Sequence, residues 1–337
     1  MKYYISLALV CMLVICFVSC DKQFHRNDAF KKWIQSNGKV KVLSTISMID
    51  ALVKDIGQDH VDSLTLIRGE LDPHSYQLVK GDDEKLTFAD IIFYNGLELE
   101  HGPSLHSHLN ANPKAVGLGD QIKKENPALI IYVKGQKDPH IWMDISLWTE
   151  TIPFIVKALS QKDPAHAQEY QDNGALLTKK LLESHHAIRS YMQEIPENRR
   201  YLVTSHDAFN YFTRAYLSED SELATGEWIK RFAAPEGLAP ESQLSVTDIQ
   251  DIINHMKLHR IELLFPESNV SQDSIRKILQ AGRANGLKLQ IACCPLYGDA
   301  MGAPGSEGDT YVKMIEYDAK TIGRYMKSDK DISQSPN

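Results

Sequence analysis

Apolar positions follow two rhythms along this chain. Compact runs rich in Val, Ile and Leu predict strands over 40–44, 61–67 and 91–94, with a fourth over 115–118. Between and after them the spacing lengthens to threes and fours. Residues 48–56 predict a helix, and 144–159 another, with Ile145, Trp148, Ile152, Ile155, Val156 and Leu159 on one side. Pro153 stands inside the second of these, where its missing N–H weakens a helix. Strands alternating with helices point to parallel βα units.

The most regular stretch runs from Pro164 to Ile195 and is stopped by Pro196. Tyr170, Leu177, Leu181, Ile188, Met192 and Ile195 recur on one helical face. Around thirty residues at about 1.5 Å each make a rod of roughly 45 Å, long enough to cross between domains. Alternation then resumes, with strands over 201–205, 229–233, 261–265 and 288–293. Helices are expected over 207–216, 246–259, 271–284 and 311–326. The expected fold class is α/β: two lobes, each a small, mainly parallel sheet with flanking helices, joined by one long rigid helix. The expected divisions are a lobe over 39–162, the helix over 163–196, a lobe over 197–327 and a polar tail over 328–337.

Two segments precede the first lobe. Lys2 and the apolar run 5–18 form an export signal over 1–20, too short to span a bilayer comfortably. It ends in Phe17-Val18-Ser19-Cys20, which resembles the bacterial lipobox, whose cysteine is lipidated and becomes the first residue. The simpler reading is a plain signal with an incidental Cys20. Residues 21–38 form a polar tether without apolar period. Beyond the signal the chain keeps only Cys293 and Cys294, and adjacent cysteines are poorly placed to pair, so the protein does not depend on disulfides. A formal net charge of −7 argues against nucleic acid and is compatible with attracting cations.

The candidate chemistry is metal binding. Asp-Pro-His occurs twice, ending at His74 and His140, each just past a stretch that reads as a strand and its loop. His206 follows the strand 201–205, and Asp299 follows the strand 288–293. Open α/β sheets bind ligands beyond their strand ends, so the four side chains suggest one ion held between the two lobes. Imidazole suits zinc, iron and manganese, and a carboxylate suits the harder of these. Four protein ligands with no open position read as binding, not catalysis. Pro73 and Pro139 restrict the backbone before each histidine. Asp72 and Asp138 are placed to accept the second imidazole N–H, although Asp before Pro is also ordinary turn chemistry. Glu267, just past the strand 261–265, is a reserve ligand or an outer carboxylate. His74, His140 and His206 are equally spaced, yet their flanks share no pattern and make no repeat.

The other histidines carry weaker signals. His101, His106 and His108 form either an auxiliary metal-capturing loop or a solvated one. His185 and His186 read as surface. His25, His60, His166, His255 and His259 have no evident partner. No H-E-x-x-H helix, G-x-S-x-G elbow or Gly-rich phosphate loop is present. The rival readings are an exported zinc-dependent hydrolase, which would need an open coordination position, and a surface adhesin.

The segments LDPHSYQLVKGD, FYNGLELE, DPHIWMD, RYLVTSHDAFNYF, PEGLAPESQLSVTDI and LYGDAMG, followed by GDTYVKMIEYDAKTI, resemble the metal-binding components of bacterial ABC importers for manganese, zinc and iron. The wording is especially similar to the chlamydial member. The resemblance spans about residue 40 to 326. It implies two α/β lobes, a single backbone helix and a metal in the cleft between them. It places the ligands at His74, His140, His206 and Asp299, and not at Asp309. It implies no enzyme but a monomeric receptor for iron, zinc or manganese, handing its ion to a permease and its ATPase. Two departures stand out. Gln243-Leu244-Ser245 replaces the Glu-Pro-Ser of many members. The span 119–137 lacks the histidine-rich loop often seen in zinc-specific ones.

Overall fold

The structure is a computed structural model that describes residues 30–240 and 244–327. Strand β1 (Val40–Ser44) is buried along its whole length, as befits an inner strand of a parallel sheet. It pairs in parallel with β2 (Val61–Thr65) and β3 (Ile91–Tyr94), and β3 pairs with β4 (Ala115–Gly117), giving the order β2-β1-β3-β4. Past the ladder, Leu66 and Ile67 N–H donate to Ser44 and Thr45 carbonyls at 2.8 and 2.9 Å, so pairing continues to the end of the predicted run. Helix α1 (Ser47–Gly57) lays Met48, Ile49, Leu52, Val53 and Ile56 against the core.

Three short helices of this half were not expected from the apolar pattern: α2 (Asp82–Phe88), α3 (Pro103–Ala111) and α4 (Leu118–Glu125). Each buries only two or three side chains, too few to leave a periodic trace. The second Asp-Pro-His follows no parallel strand. It leaves a tight antiparallel hairpin, β5 (Tyr132–Val133) and β6 (Gln136–Lys137). Lys134 and Gly135 link the strands with φ of 49° and 84°, the positive pair that a two-residue hairpin turn demands.

The helix expected over 144–159 is two helices, α5 (Ile145–Thr149) and α6 (Ile152–Lys162). Pro153 stands in the first turn of α6, where no N–H is needed, and so restarts the helix instead of kinking it. The Asp144 side chain caps α5 by accepting from Ser146 and Leu147 N–H, worth about 1 kcal/mol. The long helix is present as α7 (Ala167–Gln193), 27 residues after a 3₁₀ turn over Pro164–His166. At about 1.5 Å per residue it spans roughly 40 Å. Its buried stripe includes His185, which the sequence placed at the surface; that imidazole lies 3.2 Å from Tyr216 Oη and 3.6 Å from Asp144.

In the second half, β7 (Leu202–Val203) pairs in parallel with β8 (Phe232–Ala233), and β9 (Leu263–Leu264) with β10 (Gln290–Ile291). A hydrogen bond from Phe265 N–H to the Val203 carbonyl, 2.9 Å, joins the two pairs. Strand β7 ends earlier than predicted for a chemical reason. Past Val203 the chain turns toward the site, and the N–H groups of Ser205 and His206 bond the Glu267 carboxylate instead of a neighbouring strand. The strand expected over 229–233 is a 3₁₀ turn over Glu227–Arg231 leading into β8. The helix expected over 207–216 is one turn, Asn210–Phe212, widening into a π-type turn over Thr213–Leu217. Helices α8 (Val246–His259), α9 (Asp273–Ala284) and α10 (Tyr311–Lys327) complete the chain.

One apolar cluster runs through both halves, from Val42 and Trp148 through Leu181 to Phe212, Tyr311 and Ile322. Smaller clusters flank it, one around Leu43 and Ile92, the other around Ile253 and Ile275. The loops beyond the strand ends are thereby held against a common floor.

Candidate metal centre

Four side chains from four loops converge. His74 stands in the loop after β2, His140 follows the hairpin, His206 follows β7, and Asp299 stands within the loop after β10. All four are buried, and one ligand atom of each lies within 4.8 Å of those of the others. His74 Nε2 is 3.2 Å from His140 Nε2 and 3.9 Å from Asp299 Oδ2. His140 Nε2 is 3.4 Å from Asp299 Oδ1, and His206 Nε2 is 3.2 Å from Asp299 Oδ2. Metal–ligand bonds of about 2.1 Å in a tetrahedron set ligands roughly 3.4 Å apart. These four distances, 3.2–3.9 Å with both Asp299 oxygens taking part, bracket that spacing. His206 Nε2 and Asp299 Oδ1 are buried, and their near neighbours are other members of the cluster, so an ion among them would satisfy both.

Carboxylates stand behind two of the imidazoles. Asp138 Oδ1 lies 2.7 Å from His140 Nδ1 and accepts the His140 backbone N–H at 2.9 Å, while its Oδ2 accepts from Asn210. Glu267 Oε2 lies 2.6 Å from His206 Nδ1. A carboxylate on Nδ1 fixes the tautomer that leaves Nε2 free to ligate. Glu267 thus stands where an outer carboxylate would, with its oxygens on His206 Nδ1 and on the Ser205 and His206 N–H groups. Asp72 differs from expectation. It accepts the backbone N–H of His74 at 2.8 Å and the Ser75 hydroxyl at 2.6 Å, turn chemistry that shapes the loop without touching the imidazole.

Charge follows from these contacts. Burial opposes charge on His140, yet the Asp138 and Asp299 carboxylates outweigh it and lift its pKa to about 9. Burial likewise opposes charge on His206, but Glu267 and Asp299 raise it well above the usual imidazole value. Burial pushes His74 well below the usual imidazole value, and Asp299, 3.9 Å from its Nε2, does not make up the difference. Burial disfavours the Asp299 carboxylate, but His206 and His140 hold its pKa well below the usual range.

Several positioning groups left no readable signal. Asn95 Nδ2 donates to the Pro139 carbonyl, 2.9 Å, and so pins the loop of His140. Buried Glu100 accepts from the Thr45 hydroxyl and from Asn95 and Gly96 N–H. Asn269 Nδ2 donates to Asp299 Oδ2 at 3.1 Å. Trp142 Nε1 donates to the Gly298 carbonyl, 2.9 Å, and Tyr311 Oη to the Trp142 carbonyl, 2.7 Å, tying the loop of His140 to that of Asp299. Apart from the contacts of Glu100 with Asn95 and Gly96, these pair residues far apart in the chain; only Asn95-Gly96 was visible, as a turn.

The remaining candidates fall elsewhere. His106 and His108 stand exposed on α3, not on a loop, and His101 is exposed with its ring centroid 5.7 Å from that of His74. Asp309 accepts from Gly305 N–H and Lys313, outside the cluster. Cys293 and Cys294 are unpaired thiols. Cys20 and Gln243 lie outside the described residues.

Fold and cluster define a class: α/β proteins with a buried imidazole-and-carboxylate pocket at their strand ends, suited to hold one metal ion. Residues 42–325 match the family described as ZnuA, zinc-uptake complex component A, periplasmic, and the chain belongs to that family. It is 36% identical over 323 residues to the metal-binding protein YtgA of Chlamydia trachomatis, covering 95% of this chain and 95% of that protein. It is 31% identical over 288 residues to the zinc-binding protein TroA of Treponema pallidum, covering 85% and 89%. It is 28% identical over 328 residues to the manganese ABC transporter substrate-binding lipoprotein PsaA of Streptococcus mitis, covering 96% and 98%. The structure of Fe(III)-bound YtgA from Chlamydia trachomatis superposes with a TM-score of 0.80 at 37% identity, covering 86% of this chain and 98% of that one. The family comprises metal-binding components of uptake complexes and is not enzymatic. No observation favours the hydrolase or the adhesin. Among the described residues, no helix is long and apolar enough to cross a membrane.

Proposed function

We propose that this protein is an extracytoplasmic receptor that captures one transition metal ion through His74, His140, His206 and Asp299. It delivers the ion to an ABC permease driven by a cytoplasmic ATPase. The observation that carries this reading is the buried convergence of the four ligand atoms within 4.8 Å. Both carboxylate oxygens of Asp299 face the imidazoles, so the aspartate can offer one oxygen or two. That latitude accommodates the coordination preferences of zinc, iron and manganese, the metals named for the relatives.

Two ligands belong to the proposed lobe 39–162 and two to the proposed lobe 197–327, with 163–196 as the connecting helix. Release to the permease then requires the two pairs to part. The long helix, packed against both halves, confines that motion to a small amplitude. Nanomolar affinity corresponds to about 12 kcal/mol, and separating the ligand pairs is the means of lowering it. The receptor acts as a monomer, tethered through a lipidated Cys20.

The test is stoichiometry. Metal-stripped protein should bind one equivalent tightly in a competition titration, and His140→Ala should lose it. Unchanged tight binding by His140→Ala would show the four-ligand site to be wrong.

A further inference from the structure

A second group of metal-type side chains lies where the first half meets the long helix. His60 closes the short turn Gln58–His60 ahead of β2, His166 ends the turn before α7, and Glu169 stands in the first turn of α7. His60 Nε2 is 2.9 Å from Glu169 Oε2. The two imidazoles stack with centroids 3.6 Å apart and planes inclined by 19°. One ligand atom from each of His60, His166 and Glu169 lies within 4.8 Å of the other two.

We propose that His60, His166 and Glu169 form a second, solvent-open site for a borderline transition-metal dication such as Zn²⁺ or Cu²⁺. It shares no residue with the buried cluster and goes beyond the receptor role proposed above. His166 is oriented as a ligand would be. Asp163 Oδ2 lies 2.7 Å from its Nδ1, and the Tyr170 hydroxyl donates to the same oxygen at 2.7 Å. With Nδ1 engaged, Nε2 is the nitrogen left for an ion, the arrangement that Asp138 gives His140. Glu169 and Asp163 together balance the charge of a dication. Two imidazoles and one carboxylate favour copper, zinc or nickel over manganese or magnesium. The imidazoles of His60 and His166 are 27% and 36% exposed, so three protein ligands leave room for water and binding is weaker than in a closed site.

The site sits on a seam. Asn173 Nδ2 on α7 donates to the Ile56 carbonyl of α1 at 3.0 Å, and His60 follows that same helix. An ion here joins the turn ahead of β2 to the head of α7, bracing the first half on the long helix. A stack of imidazoles bridged by carboxylates would hold the seam without any ion, and the experiment separates the two.

Metal-stripped full-length protein is titrated with Zn²⁺ by calorimetry and with Co²⁺ by visible absorption. The expected result is two equivalents, one tight and one weaker. His60→Ala/His166→Ala should lose the weaker equivalent and keep the tight one. His74→Ala/His140→Ala should lose the tight one and keep the weaker, with its Co²⁺ bands. Wild-type protein that shows no weaker equivalent, or His60→Ala/His166→Ala retaining it, overturns the proposal. The surface pair is the decisive variant, because it does not depend on the buried-site variant folding. Failure of the buried site would instead remove the tight equivalent from the prediction and leave this one standing.

Discussion

Glu267→Gln is the most incisive change the site offers, because it preserves shape and removes one property. Glu267 Oε1 accepts the Ser205 and His206 N–H groups at 2.9 and 2.8 Å, while Oε2 lies 2.6 Å from His206 Nδ1. A glutamine keeps only one acceptor. If its oxygen stays on the two backbone N–H groups, its NH₂ faces Nδ1. The imidazole must then carry its proton on Nε2, the atom aimed at the metal. If the amide flips, its NH₂ meets two N–H donors in a buried place. Either way one charge-assisted hydrogen bond is lost, at about 1.5–3 kcal/mol, or roughly 10- to 150-fold in Kd at about 1.4 kcal/mol per decade. Outer partners of metal-bound histidines typically cost about 10- to 100-fold, in agreement. The change also removes the carboxylate that raises His206 in the empty protein, which eases proton competition. The ratio of mutant to wild-type Kd should therefore be smaller at pH 6 than at pH 8. Competition against a chromogenic chelator at both pH values measures this. A Glu267→Gln protein that folds normally and binds within threefold of wild type at pH 8 would refute the reasoning.

Three further outcomes follow from the same geometry. A Cβ on Gly298 would lie 2.5 Å from Glu267 Oε2 and 3.2 Å from His206 Cε1. Because Glu267 is pinned by two backbone donors, Gly298→Ala should displace the brace and weaken binding by about tenfold, read in the same chelator assay; undiminished affinity would show that the pocket yields freely. In the empty protein His140 is raised to about 9 and His206 well above its usual value, so an ion binding at pH 7 must displace protons. Affinity should rise with pH until about 9, by about one decade per unit for each proton released. Calorimetry at pH 7 in buffers of different ionisation enthalpy should detect that release, and a Kd unchanged from pH 6 to 8 would exclude it. The raised His140 pKa also stabilises the empty fold below about 6.5, and that contribution is lost as pH rises through about 9, visible as a falling Tm in metal-free protein.

Much of the site was legible because its signals are local. Asp-Pro-His is a tripeptide with its own stiffness, and His206 and Asp299 each follow an apolar run that announces a strand. The alternation of periods marked parallel α/β units, and the stripe from Tyr170 to Met192 marked the long helix. The misreadings share a cause. The hairpin before His140 is too short for a period, Pro153 restarts a helix where the pattern ran on, and His185 looked exposed until Tyr216 and Asp144 were packed beside it.

By itself the sequence determined which residue types are available for metal chemistry, that they stand at strand ends, and that strands and helices alternate on both sides of one long helix. These depend on neighbours within a turn or a run. The tertiary structure alone decided which carboxylate serves which imidazole. Asp138 reaches a ring, and Asp72 only a backbone N–H and the Ser75 hydroxyl, though each opens a copy of the same tripeptide. It also brought Glu267 onto His206, Asn95 onto Pro139 and Trp142 onto Gly298. Those contacts join residues distant in the chain, and their geometry exists only once both halves settle on a common apolar core, so no local pattern can encode it.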